Sequence, residues 1–364
     1  MIAIAVGTRP EIVKMAPIVR ACIARGVDHA LLHTGQHYSH ELDGVFFDEL
    51  GLPPPHANLA VGSQSAPRQL AAILERIEPV LAELAPDAVL VQGDTNSVLA
   101  VALAAEKSGI PVGHVEAGLR SYDRTMPEEI NRVLTDHLSQ WLFAPTEHAA
   151  AILHAEGFAA DRVLVTGNTV VDELLRQSAS PVAAQVPARF GVAPGRYALA
   201  TVHRAENTGD PDRLRGILRG LDGVARALDM LVLAALHPRT TARMHALGLT
   251  AGDGVRALPP LGYVEFVGLE AHAALVLTDS GGLQEEACVL RVPCVTLRDN
   301  TERPESVDVG ANVLAGADAT RIVACARTMI ARPRRWPNPF GDGHAGERIV
   351  DALLASGAGL AEAA

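Results

Sequence analysis

Aromatic residues make up only 4% of the 364-residue chain, so apolar packing must rest on Ala, Val, Leu and Ile. Cysteine is scarce as well. Cys22, Cys288, Cys294 and Cys325 are scattered, form no C-x-x-C pair and have no histidine nearby at zinc-ligand spacing. That pattern excludes a disulfide framework and a metal centre built on cysteine, and the four are expected as reduced core or near-core residues. Positive charge is in deficit: the formal net charge is -11. No broad basic face remains for a nucleic-acid backbone, and no Lys/Arg run suits an anionic membrane surface. No apolar run approaches the ~18 uncharged residues of a membrane span. The opening residues 1–14 lack a basic region ahead of their apolar stretch. The protein is therefore expected to be soluble and cytoplasmic, with no nucleic acid and no membrane among its partners. Any phosphate ligand would need a local site. Repeats of solenoid length are absent too.

What is present is a globular composition, 48% hydrophobic and 20% charged with 32 Gly and 23 Pro. A chain of this length exceeds what one core usually organises, so two domains are expected. Short runs rich in Val, Ile and Leu alternate with longer segments of helical period, the pattern of βαβ units around a parallel sheet buried on both faces. Strands are read at 2–6, 30–33, 88–92, 112–115, 142–144 and 163–165, and again at 197–202, 231–236, 274–277 and 294–297. Between them Leu70, Ile73, Leu74, Ile77, Leu81 and Leu84 recur at helical spacing, a core stripe. The pattern loosens over 168–195, a Pro/Ala/Gly-rich stretch that reads as a linker before the rhythm restarts. The fold class is thus α/β with two Rossmann-like doubly wound domains, 1–167 and 168–345. A closing helix at 346–364 is expected to pack back on the first domain.

Polar turns follow the strands, where such sheets bind ligands. The turn GTRPEIVKMAP opens a helix and puts free backbone N–H groups, Arg9 and Lys14 where an anion could bind. It is neither G-x-G-x-x-G nor a Walker A loop, and a bridge from Arg9 to an acidic neighbour stays open as the bland reading. In ALVLTDSGGLQEEA a strand runs into Asp279, Ser280, Gly281 and Gly282 before a helix carrying Glu285 and Glu286. Paired glycines admit a phosphate to the backbone and a glutamate can accept ribose hydroxyls, although a Ser N-cap with acidic neighbours would look similar. The turns QGDTNS, HVEAGLRS and MPEEINR bring carboxylates to one rim, and acids so gathered push their pKa values apart. The turns TVHRAEN and HPR add His203, His237 and Arg239, suited to a phosphorylated ligand and to proton transfer.

In this order, together with GNTVVD and TLRDNTERPE, the motifs resemble those of the non-hydrolysing UDP-N-acetylglucosamine 2-epimerases over nearly the whole chain. The resemblance implies the glycosyltransferase-B architecture, two Rossmann-like domains with a cleft between them. It implies reversible conversion of UDP-GlcNAc to UDP-ManNAc by loss and return of UDP through 2-acetamidoglucal, with no redox cofactor and no metal. By the same match Asp94, Glu116 and Glu128 are the catalytic carboxylates. His203 matches the catalytic and phosphate-binding histidine. Arg9, Lys14, Ser280, Gly281 and Gly282 would hold the diphosphate, with His237 and Arg239 nearby, and Glu286 the ribose. Asp299, Thr301 and Glu302 are placed at the sugar end, and Arg120 is expected among the substrate-binding residues. A homodimer is expected from the family.

One departure concerns regulation. Family members activated by a second substrate molecule carry a glutamine and an aspartate just after a T-x-Q-H turn. Here the stretch is TGQHYSHELD, with Gln36 and Asp43 at altered spacing, so allosteric activation is not expected. The short SYDRTMPEEINR connection also resembles epimerases of UDP-2,3-diacetamido sugar acids, which stay an alternative. So do a UDP-sugar transferase of the same architecture, a hydrolysing relative and a non-catalytic sensor.

Overall fold

In the computed structural model residues 1–35 and 47–356 are described. The chain forms two compact units, Met1–Glu173 with Phe340–Ala364, and Leu174–Pro339. The sequence reading divides the chain at 167/168 and 345/346. The first divide of the structure instead falls inside a helix, and the chain returns to the first unit at Phe340.

The first unit contains β1 (Ile2–Val6), β2 (His29–His33), β3 (Ala57–Asn58), β4 (Ala88–Gln92), β5 (Val112–Val115), β6 (Trp141–Ala144) and β7 (Val163–Val165). They form one sheet in the order β3-β2-β1-β4-β5-β6-β7, with parallel pairing throughout. Every residue of β1 is buried, as a strand covered on both faces requires. The covering helices are α1 (Arg9–Ala24), α2 (Ala66–Leu84), α3 (Asn96–Lys107), α4 (Pro127–Leu138), α5 (Glu147–Ala155) and α6 (Thr169–Ser178). On α2, Ile73, Ile77 and Leu81 are buried in the core, flanked by partly buried Leu70, Leu74 and Leu84. Each such side chain contributes about 1.5–3 kcal/mol by leaving water.

Strand order reverses between β1 and β4, and the turns after β1, β4 and β5 lie at that switch point, where α/β sheets take ligands. Gly7 makes the first turn possible, because a Cβ there would lie 2.3 Å from Ser97 Oγ and 2.5 Å from Thr34 Oγ1. The C-terminal helix (Ala345–Ala355) lies against α1. Its Gly346 touches the Pro17 backbone so closely that a Cβ would sit 2.7 Å away, and its N–H donates to Asp172 at 2.8 Å.

The second unit repeats the design with α7 (Pro181–Arg189), β8 (Tyr197–Val202), α8 (Ala205–Gly209), α9 (Pro211–Leu228), β9 (Leu231–Leu236), α10 (Pro238–Ala246), β10 (Val255–Ala257) and α11 (Tyr263–Ala271). It continues with β11 (Leu275–Thr278), α12 (Gly281–Val289), β12 (Cys294–Thr296), α13 (Pro304–Asp308), β13 (Asn312–Leu314) and α14 (Ala319–Ile330). The parallel sheet runs β10-β9-β8-β11-β12-β13, so its switch point lies between β8 and β11.

The stretch read as a linker is helical. Ser180 accepts from Ala183 N–H, Pro181 occupies the first turn, and Ala183 and Val186 bury the inner face of α7. Its proline and alanine content marks a capped helix, not a loose chain. Cys22, Cys288 and Cys294 are buried and Cys325 is partly so. Burial pushes the Cys22 and Cys288 thiols up to about 12, which keeps them unreactive. Among the described residues no helix is long and apolar enough to cross a membrane. Gln36 and Asp43 lie outside the described residues.

Candidate active site

At the first switch point the chain concentrates carboxylates and holds each one differently. Glu116 follows β5 with φ of 72°, left-handed backbone that a glutamate adopts only at a cost of about 1–2 kcal/mol. Its buried carboxylate accepts from Lys14 Nζ at 2.6 Å, from Asn168 Nδ2 at 3.1 Å and from the Gln92 amide. A strained residue fixed by three donors is a side chain aimed deliberately. Lys14 is expected among the diphosphate ligands. The structure pairs it with Glu116.

Asp94 follows β4 and forms an ion pair with Arg132 of α4. Asn131 Nδ2 donates to the Asp94 carbonyl at 2.9 Å, fixing the same turn from the backbone. Arg132 also reaches Glu129 at 3.2 Å. Glu129 is buried and accepts from the N–H groups of Ser121 and Tyr122 at 2.8 and 3.0 Å. Burial alone would raise its carboxyl, but these donors and Arg132 hold it below the usual range. Its neighbour Glu128 is exposed in the first turn of α4 and makes no hydrogen bond or ion pair among the described residues. The structure therefore does not bring Glu128 into contact with Asp94 or Glu116.

Glu11 is an acid that motif reading passed over. Its buried carboxylate accepts from the Gly7 N–H at 2.6 Å and the Thr8 hydroxyl at 3.0 Å, shaping the turn that carries exposed Arg9. Burial, with Asp94 adding its charge, pushes Glu11 up to about 7.

Arg120 corrects its sequence assignment. Its side chain is only 1% exposed, with Asp136 at 2.7 Å and Glu156 at 2.6 Å. Asp136 also faces His114 Nδ1 at 2.6 Å, and His114 Nε2 reaches the Gly93 carbonyl at 2.8 Å. Arg120 thus braces the turn leading to Asp94 from behind, with its guanidinium committed inside the unit.

At the second switch point one buried carboxylate organises the others. Asp279 follows β11 and accepts from the His203 N–H at 3.0 and 3.1 Å, from Arg204 N–H at 2.9 Å and from Asn207 Nδ2 at 3.1 Å. Its Oδ1 also lies 2.9 Å from His203 Nδ1. A carboxylate only accepts here, so Nδ1 carries hydrogen and Nε2 of the half-exposed ring is left for a ligand. Burial would raise Asp279, but His203, Arg204 and Asn207 hold it below the usual carboxylate range. Sequence reading noted Asp279 in its motif but gave it no role.

Beside it, Ser280 caps α12 without a side-chain bond into the helix, so its hydroxyl and the first amides of α12 form an anion-ready end. Gly281 faces Glu302 and Arg204; a Cβ there would lie 3.3 Å from Glu302 Oε2, and exposed Gly282 follows it. Glu302 pairs with Arg204 at 3.2 Å and Arg298 at 3.5 Å. Burial would raise this carboxyl, but Arg204, Arg298 and Arg303 pull it lower.

Three further assignments meet structural uses. Thr301 donates to Gln284 Oε1 at 2.5 Å and accepts from Arg303 N–H at 3.0 Å, which binds it to the fold. Asp299 is two-thirds exposed and pairs with Arg213 at 2.8 Å. His237 Nδ1 accepts from Arg239 N–H at 3.1 Å, so this histidine caps α10, with the Arg239 side chain exposed. Glu286, half-buried on α12, lies beside Glu270 of α11.

Two parallel α/β units, each with a polar switch point, define a glycosyltransferase-B-like fold of two Rossmann-like halves. The model of the UDP-N-acetylglucosamine 2-epimerase family matches residues 20–354, and the chain belongs to that family. It is 48% identical to a UDP-N-acetylglucosamine 2-epimerase of Methanocaldococcus jannaschii over 97% of this chain and 98% of that one. A UDP-2,3-diacetamido-2,3-dideoxy-D-glucuronate 2-epimerase of Pseudomonas aeruginosa is 40% identical over 96% and 98%. A crystal structure of the M. jannaschii UDP-GlcNAc 2-epimerase with UDP-GlcNAc and UDP has a TM-score of 0.86, covering 97% of this chain and 99% of that one.

Proposed function

We propose that this protein, an isomerase of its family, interconverts UDP-N-acetylglucosamine and UDP-N-acetylmannosamine. Removal of the carbon 2 proton and cleavage of the bond from carbon 1 to oxygen yield UDP and 2-acetamidoglucal. Return of UDP to carbon 1, with protonation of carbon 2 from the other face, gives the epimer. Two acid/base groups must flank the ring, and Glu116 and Glu128 take these roles with Asp94 assisting. Charge appears on the departing β-phosphate, where His203, Arg9, Ser280 and the amides of Gly281 and Gly282 act as fixed stabilisers. Lys14 offsets charge at Glu116 and joins the diphosphate ligands. Glu286 accepts from the ribose, while Glu302 and the outer residues Asp299, Arg239 and His237 border the ligand. The protein acts in the cytoplasm as a homodimer.

The observation that carries this reading is Glu116 itself, held in left-handed backbone by Lys14, Gln92 and Asn168. Neither a transferase nor a sensor needs an acid fixed there together with Asp94. Incubation with UDP-GlcNAc in D2O tests it: epimerisation with deuterium at carbon 2 is expected, and retention of hydrogen there rejects it. Parallel incubation with the diacetamido glucuronate nucleotide tests the substrate choice suggested by the P. aeruginosa relative.

A further inference from the structure

Glu270 sits in the last turn of α11, fully buried, and neither carboxyl oxygen has a hydrogen-bond partner of ordinary donor type among the described residues. Among the described residues no cation pairs with it. On α7, which packs against α11, Ala183 and Val186 face the helix at Gly268, and Arg189 is engaged at the surface with Glu265 at 2.6 Å. From β12 the Cys294 thiol faces it, raised by burial and then by Glu270, and so neutral. From α12 comes Glu286, close enough for a hydrogen bond between the two carboxyl groups.

Two adjacent carboxylates, one of them fully buried and without a donor among the described residues, cannot both stay ionised in such surroundings. Burial, then the charge and hydrogen bond of Glu286, push Glu270 well above the usual carboxylate range. Glu286 is the partner with solvent access, so it keeps the charge. A neutral carboxyl group has one O–H to donate, and Glu286 is the acceptor within reach. A carboxylic acid kept neutral so that it donates is a known device of apolar sites.

We propose that Glu270 is a positioning residue: its O–H donates to one Glu286 oxygen and fixes the carboxylate so that the other oxygen accepts from a ribose hydroxyl of the nucleotide. The inference rests on the assignment of Glu286 to the ribose. It explains why a buried acid has no ion-pair partner among the described residues, and it makes nucleotide affinity depend on a side chain that never touches ligand.

The test compares UDP with 2′-deoxy-UDP by calorimetry on the full-length protein, using wild type, E270Q and E270M, with thermal unfolding as the check on folding. Glutamine supplies an N–H donor in place of the O–H, whereas methionine fills the volume without one. E270Q is expected to keep the preference for UDP, and E270M to lose UDP affinity about tenfold while 2′-deoxy-UDP affinity falls less, the size of one hydrogen bond to a charged group. An E270M protein that keeps the full preference overturns the positioning role. So does equal loss of the preference in E270Q and E270M. If the wild type itself shows no preference, the ribose assignment of Glu286 fails first, and Glu270 with it.

Discussion

Both units end their central strands in polar turns, yet they equip those turns in opposite ways. The first surrounds buried or half-buried carboxylates with cations and amides of its own, Lys14 and Asn168 at Glu116 and Arg132 at Asp94. The second buries one carboxylate, Asp279, which accepts from the backbone amides of His203 and Arg204 and so holds the His203 imidazole with its other ring nitrogen open. On the proposed function, the same topological position would serve proton chemistry in one half and anion binding in the other. Fold alone would not have separated them.

The sharpest way to break this contrast is to remove the acids of the first unit. Glu116→Gln and Glu128→Gln are each expected to lower carbon 2 exchange about 10³-fold, the scale of a general acid/base group. UDP affinity should stay within a few-fold. Loss of UDP binding in step with exchange would mean that the first unit also grips the nucleotide, and turnover near wild type in both variants would remove them from the chemistry.

Next in size is a stability effect that belongs to the first unit alone. Glu11 ionises near 4.5 in an unfolded chain and near 7 in the fold. The folded protein holds the proton longer, so this contribution to stability is complete below pH 4.5 and fades as pH rises to 7. At about 1.4 kcal/mol per pKa unit, the loss over that window is about 3 kcal/mol. Glu11→Gln should flatten it. Urea midpoints for both proteins at the two ends of the window measure the difference, and parallel pH profiles would show that Glu11 is not neutral in the fold.

The long strands and the α2 stripe were readable because a parallel sheet writes continuous apolar runs and a covering helix writes a 3.6-residue period. The strands β3, β10 and β13, two or three residues each, are too short to write either. Motif reading found the turns but not the orientation of side chains within them. In MPEEINR nothing in the sequence says which glutamate faces in, and the structure turns Glu129 inward and Glu128 outward. Arg120 and Thr301 lie in family motifs and look like ligand contacts, but partners far along the chain, Asp136, Glu156 and Gln284, claim them. Glu11, Arg132 and Glu270 were missed for the same reason: their roles arise from tertiary neighbours that no local pattern encodes.

The two glutamates of α4 allow a smaller, cleaner comparison. Glu129→Ala strips an acceptor from Ser121, Tyr122 and Arg132 and is expected to cost about 2 kcal/mol of stability. Glu128→Gln should leave the unfolding midpoint unchanged while exchange collapses. Equal destabilisation by both would place Glu128 inside the fold after all.

In the second unit the expected effects are those of binding. Ser280→Ala removes a hydroxyl that makes no bond into its own helix, so unfolding should not change while UDP affinity falls about fivefold, the worth of one modest hydrogen bond. An unaltered UDP dissociation constant would move the phosphate away from the α12 end. Smaller still is Asp299→Asn. Its pair with Arg213 is largely exposed, and such pairs contribute about 0–1 kcal/mol, less in high salt. Stability should therefore stay within that range. Any larger change in UDP-sugar affinity, persisting at high salt, would have to come from direct contact of Asp299 with ligand, because screening erases the alternative.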